Sequence, residues 1–164
     1  MTVAEAQRLF GYNAWANARL VAVLSGLSED AFRTPVGSSF GSVRDTLAHI
    51  LAGEWIWLRR AKGDNPTGPP SWVAAADRAG LLAKLAEIET ERRDFLASLT
   101  QAQLDATITY RLLSGQEHRN TLAELLQHVV NHSTYHRGQA VTQLRQLGVT
   151  PPSTDLIAFL WEND

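Results

Sequence analysis

The chain has 164 residues, 45% of them hydrophobic and 20% charged, with a net charge of −2 and no cysteine. That length can bury one core without disulfides or a structural metal, so residues 1–164 read as a single soluble domain. The missing cysteines exclude thiolate metal sites and a cysteine nucleophile, and the lack of a basic block argues against a nucleic-acid partner.

No apolar run approaches the roughly 18 residues of a membrane span. The opening Met1-Thr-Val-Ala-Glu-Ala-Gln-Arg8 lacks the layout of a signal peptide, so a cytoplasmic location is the expectation. Arg59, Arg60 and Lys62 are expected to be a solvated helix end.

Four long segments carry helical periodicity. The first runs from about Thr2 to Leu24, with Thr2 and Glu5 spaced for a capping box. Its core candidates are Leu9, Tyr12, Ala16, Leu20 and Val23. The second spans about Ser42 to Lys62 and stops at Gly63-Asp-Asn-Pro66. The Pro- and Gly-rich stretch from Gly63 to Arg78 is longer than an ordinary connection, and such loops tend to be functional or mobile. The third helix covers roughly Ala79 to Leu99, with Leu82, Leu85, Ile88 and Leu96 directed to the core. Thr107 to Leu112 and Glu117 to Arg119, around Ser114-Gly115, suggest a small hairpin. The fourth helix extends from about Thr121 to Leu147, capped by Thr121 and Glu124 and ended by Gly148 and Pro151-Pro152.

A weak internal echo supports the count. Arg44-Asp-Thr-Leu-Ala-His-Ile-Leu51 resembles Arg119-Asn-Thr-Leu-Ala-Glu-Leu-Leu126, and Leu24-Ser-Gly-Leu27 resembles Leu96-Ala-Ser-Leu99. Two related helical hairpins would pack with pseudo-twofold symmetry. The competing explanation is that Thr-Leu-Ala-x-x-Leu is simply a common helix start.

The chemistry concentrates in histidines. On the fourth helix Leu122, Leu125 and Val129 define a stripe that continues through His132 and His136 to Ala140 and Leu144. Side chains four apart share a helix face, so His132 and His136 can grip one ion. His49 lies on a similar stripe with Thr46, Ala52, Gly53 and Ile56, whose small members would let the second and fourth helices approach. From spacing alone the three histidines fit either a metal site in the bundle interior or satisfied core residues. His128 is one turn before His132 but lies further round the helix, and reads as flanking; His118 reads as plain surface. Glu54 points about 140° away from His49 and reads as a surface or interhelical hydrogen-bonding residue, with support of a ligand as the sharper alternative. Asn17 is open between orienting a ligand and a capping or interhelical contact, and Arg137, which could reach an anionic substrate, reads rather as a solvated arginine. Trp15, Trp55, Trp57, Trp72 and Trp161 read mainly as packing residues, one of which could line a pocket.

Three segments carry a family likeness: Phe10-Gly-Tyr-Asn-Ala-Trp-Ala-Asn17, Ser42-Val-Arg-Asp-Thr-Leu-Ala-His49 continuing to Glu54 and Trp57, and His128-Val-Val-Asn-His132 continuing to His136-Arg-Gly-Gln139. Together they resemble the DinB-like (damage-inducible, YfiT-related) proteins, with matches on three of the four helices in order. The resemblance implies an all-α, up-down-down-up four-helix bundle. It also implies a divalent metal held by one histidine of the second helix and two of the fourth, which here are His49, His132 and His136.

Three imidazoles leave a coordination position open, the pattern of catalytic rather than structural sites. Zinc or nickel is the expected ion among those that imidazole suits. Related bundles include thiol S-transferases and a maleylpyruvate isomerase that use low-molecular-weight thiols such as mycothiol or bacillithiol. The resemblance therefore implies a thiol transferase acting on a small-molecule substrate. A metal-dependent hydrolase and a non-enzymatic, stress-related metal-binding protein are the alternatives, and a homodimer is compatible with such a bundle.

Overall fold

The computed structural model of the chain describes residues 1–163 and is mostly helical. Ten elements follow in order: α1 (Val3–Leu24), α2 (Glu29–Arg33), α3 (Val43–Ala61), α4 (Trp72–Ala75), α5 (Arg78–Ser98), α6 (Gln101–Asp105), β1 (Thr107–Arg111), β2 (Glu117–Thr121), α7 (Leu122–Gln146) and α8 (Leu156–Glu162). The four expected long helices are α1, α3, α5 and α7, and their starts are set by local chemistry. Thr2 and Thr121 each close a capping box with the glutamate three residues on, while Ser42 accepts from the Asp45 amide. The third begins at Asp77, whose side chain accepts from Gly80 N, close to the expected boundary.

Interhelical contacts define the topology. On the α3–α7 seam His49 meets His136, Gly53 meets His132 and Trp57 meets His128, so the two helices run antiparallel. Gln7 reaching Leu96 and Asn17 reaching Glu89 make α1 and α5 antiparallel. Tyr12 and Asn13 contact Thr134 and Arg137, and so align α1 with α7. The result is an up-down-down-up four-helix bundle. The echoed helices α3 and α7 pack against each other and α1 against α5, whereas α1 and α3, and likewise α5 and α7, barely touch, so the expected packed hairpins do not form. The matched leucines of α3 and α7, Leu47 with Leu122 and Leu51 with Leu126, are all buried.

The core divides into two apolar clusters. One centres on Leu20, Leu24, Phe32, Leu47, Leu81 and Leu144, the other on Phe10, Ala16, Leu104, Leu126, Val130 and Phe159. Between them α1, α3, α5 and α7 share a buried polar layer. Glu54 Oε1 accepts from Asn13 Nδ2 and Ser133 Oγ, each at 2.8 Å, and Glu54 Oε2 accepts from Arg92. Arg137 donates to Asn13 Oδ1 at 2.6 Å and Asn17 Oδ1 at 3.0 Å, while Asn17 also donates to Glu89. Burial alone would push the Glu54 carboxyl up; Arg92, Asn13 and Ser133 outweigh it and hold the carboxyl down at about 2.

Glu54 takes the interhelical rather than the surface reading: it is 1% exposed and bonds to the other three long helices. Other expectations need correction. Arg137 is not solvated but 1% exposed, because the stripe's inner edge falls on Ser133 and Arg137 rather than on the histidines beside them. Arg60 is 4% exposed, stacked over the Trp57 ring and bonded to Arg111 O, whereas Arg59 and Lys62 do reach outward to Glu91. Trp161 is 73% exposed, while the other four tryptophans are partly buried.

The hairpin forms as expected, with Tyr110 paired to His118 and Gly115 taking a positive φ in the turn. His118 therefore sits in β2, partly buried and stacked on Tyr110, rather than in a surface loop. Three short helices, α2, α4 and α6, and the terminal α8 were not anticipated. In α8, Phe159 packs edge-on against Tyr12 and Trp15. Among the described residues no helix is long and apolar enough to cross a membrane.

Candidate metal centre

His49, His132 and His136 converge on the α3–α7 seam, with one ring nitrogen from each lying within 4.8 Å of the others. His49 Nε2 and His136 Nε2 are 3.1 Å apart. Ligand nitrogens on a tetrahedral zinc, each about 2.0–2.1 Å from the metal, stand about 3.3 Å from one another. The donor set and spacing therefore fit a divalent ion. All three rings are partly buried, on the rim of the bundle rather than inside its core. The two ligands from α7 were expected to point inward; α7 instead turns Ser133 and Arg137 to the interior and leaves the imidazoles facing the groove.

Two local features put the rings there. Gly53 supplies the close approach: a Cβ at that position would lie 2.6 Å from His132 Cε1 and 3.0 Å from its Nδ1. Only glycine lets α3 run this close to the ring. The second feature is Gln139, one turn after His136, whose Oε1 lies 2.8 Å from His136 Nδ1 and must accept the proton there. That bond commits His136 to the tautomer whose Nε2 carries the free lone pair, as metal-binding histidines require. Gln139 closes the segment that resembles the family motif, but spacing alone gives it no role.

Electrostatics favour a neutral ring at His132 and at His49. Burial, reinforced by the His136, His49 and His128 rings, pushes His132 down to about 4 despite the opposing charge of Glu54. Burial and His136 likewise lower His49. A neutral ring is the form that can ligate.

Phe40, absent from the sequence-based expectations, stacks on His49 with ring centroids 4.4 Å apart and meets His136 edge-on at 5.5 Å. Its loop is tied to α7. Gln143, fully buried, accepts from Thr46 Oγ1 at 2.7 Å and donates to Phe40 O at 2.9 Å. Gln146 donates to Gly37 O, and Gln139 Nε2 to Ser39 Oγ. A buried glutamine on an otherwise apolar stripe was the one available sign.

The centre opens on a cavity of about 500 Å³ lined by Phe40, Ala52, Ile56, Trp57, Arg60 and Leu112 together with His49 and His132. Pro69 and Val73 from the long Gly63–Arg78 connection line it too, so that loop forms part of the cavity wall. Asp45, the one carboxylate in the lining, is bonded to Arg44 and Ser42. His128 is exposed and rests edge-on against Trp57 at 4.7 Å, flanking the trio as expected.

Comparison with known proteins agrees with this architecture. The DinB family model matches residues 1–164. Protein DinB of Bacillus subtilis (strain 168) is 29% identical over 163 residues, spanning 94% of this chain and 92% of that protein. A DinB-like protein from Bacillus cereus ATCC 10987 superposes with a TM-score of 0.69 at 15% identity, covering 88% of this chain and 94% of the other. A second, from Bacillus subtilis, gives 0.67 at 19% identity over 90% and 97% of the two chains. A family member from Shewanella denitrificans gives 0.58 at 20% identity over 93% and 86%. Whole-chain family match, bundle topology and the three-imidazole cluster lead to one conclusion: the chain belongs to the DinB family.

Proposed function

We propose that His49, His132 and His136 hold one divalent cation, zinc or nickel, and that the protein is a transferase acting with a low-molecular-weight thiol. The observation that carries this reading is the geometry of the trio: three ring nitrogens converge at metal-site spacing beside an apolar cavity large enough for a small molecule. A cation there supplies positive charge that keeps a coordinated thiol deprotonated at neutral pH. The protein's residues do the rest. Gln139 holds the His136 tautomer, Phe40 covers one face of His49 against water, and Trp57, Ile56 and Leu112 provide an apolar bed for the substrate body.

The transferase reading is favoured over hydrolysis by the state of the cavity carboxylate. A hydrolase needs a base to take the proton from attacking water. Asp45 is already engaged by Ser42 Oγ at 2.8 Å and Arg44 at 3.1 Å.

Loading purified protein with zinc or nickel, then assaying conjugation of a thiol to an electrophile with and without each ion, tests the proposal. Conjugation that requires both the ion and the three histidines is the expected result. Ester or amide hydrolysis without any thiol would replace it with the hydrolase reading. Tight metal binding with neither activity would favour a non-enzymatic role.

A further inference from the structure

We propose that Arg60 is a carboxylate-recognition residue, so that the small molecule taken into the cavity carries an apolar body and a carboxylate. This deepens the proposed function and rests on it only for placing the reacting end of the molecule at the histidine trio.

Two arginines line the cavity, and they are not equivalent. Arg44 is fully committed: it donates to Asp45, to Val73 O and to Ala76 O. Arg60 is 4% exposed, yet among the described residues no carboxylate pairs with it. Its Nε donates to Arg111 O at 3.1 Å, and its guanidinium carbon lies 4.5 Å over the Trp57 ring and 5.7 Å from that of Tyr110. Stacking fixes the plane of the guanidinium, and the Nε bond fixes its rotation. Its two terminal nitrogens are left with no hydrogen-bond partner among the described residues. Those parallel donors match a carboxylate end-on, and a buried cation without a counter-charge is costly unless something supplies one.

Position makes the pairing useful. Arg60 follows His49 on α3 by eleven positions, close to three full turns, so both lie on one face. Gly53, level with His132, is seven positions before Arg60, a rise of about 10 Å. Ala52, Ile56 and Trp57 line the intervening wall. A ligand with its reacting atom at the trio and its carboxylate at Arg60 would lay an apolar arm of that length along this wall.

A matched pair of fluorescent probes tests the idea: 1-pyrenebutyrate, which carries the carboxylate, and 1-pyrenebutanol, which does not. Titrations are run on the full chain, with and without zinc. The wild type is expected to prefer the butyrate by about tenfold or more, the range of a charge-assisted hydrogen-bond pair. Arg60→Met should erase the preference, Arg60→Lys should keep part of it, and Arg93→Met, on the separate groove between α1 and α5, should leave it unchanged. If Arg60 only staples the hairpin, Arg60→Met weakens both probes equally and the ratio survives, which overturns the proposal. Equal affinities in the wild type, or a preference lost in Arg93→Met instead, overturn it too. Should Arg60→Met fail to fold, the wild-type ratio and Arg60→Lys still decide. The preference is read without metal, so it stands or falls separately from zinc binding by the histidines.

Discussion

Replacing Gly53 by alanine should separate binding of the proposed metal from folding. The new methyl would sit 2.6 Å from His132 Cε1, where carbon–carbon contacts settle at about 3.5–4.0 Å. The ring must therefore retreat by about 1 Å. Metal sites hold their ligand distances to within about 0.2 Å, so a displacement of that size removes His132 from a shared ion. Losing one of three ligands should weaken zinc by at least as much as losing a ligand's hydrogen-bond partner, about 10- to 100-fold. The fold should hardly notice. Alanine favours a helix interior by about 1 kcal/mol over glycine, which offsets the rotamer strain of a ring that can swing toward the open cavity. The metal-free melting temperature is then expected to stay within about 4 °C of wild type. Competition of zinc against a chelator, with thermal melts of the metal-free protein, reads both quantities. Wild-type zinc affinity in Gly53→Ala, alongside its loss in His132→Ala, would refute the claim that the α3 backbone sets the ring's position.

Other outcomes follow from the same contacts. His49→Ala should abolish stoichiometric zinc, measured by elemental analysis, while circular dichroism shows the helices intact, since both apolar clusters close without the ion. Zinc at about 100 times its Kd should stabilise wild type by about 2.7 kcal/mol and leave His49→Ala unmoved in the same melts. Gln139→Leu should cost about 10- to 100-fold in zinc affinity by releasing the His136 tautomer, with little change in metal-free stability. Glu54→Ala strands Arg92 in the interior and should destabilise by about 3–5 kcal/mol in urea titrations. Glu54 is lowered on folding to about 2, so its contribution is complete above the ordinary carboxyl range. It is lost as pH falls from about 4.5 toward 2, and is on the order of 3 kcal/mol in full. Glu89 is shifted upward by burial and works against this, favouring the fold at low pH. Denaturation midpoints that stay flat across that window in wild type, or slope alike in Glu54→Gln, would contradict the assignment.

What could be read in advance was whatever has a local cause. Capping boxes at Thr2 and Thr121 and the serine before α3 mark helix starts because they satisfy amides within one turn. His132 and His136 stood out because four-residue spacing is itself a geometry, and His49 joined them through a stripe of small residues. The buried polar layer was hidden for the opposite reason. Glu54, Arg92 and Arg137 are satisfied only by partners on other helices, and amphipathic periodicity assigns such residues to solvent. The pattern of α5 suffers most, since Arg92 occupies its inward face between Ile88 and Leu96. Phe40 was illegible because its place above His49 depends on glutamines of α7 about a hundred positions away.

The charged layer at mid-bundle also constrains assembly. Greasy surfaces tolerate sliding: a helix displaced by one turn, about 5.4 Å, trades one leucine neighbour for the next. Arg92 has no such freedom. Shifted by that distance along α3, it would leave Glu54 behind and maroon two opposite ions in a dry interior, at a cost of several kcal/mol. Arg137 and its paired asparagines impose the same test on α1 against α7. The layer thus works as a key whose teeth admit one alignment of the helices, and the three clustered histidines of α3 and α7 inherit their mutual level from that lock.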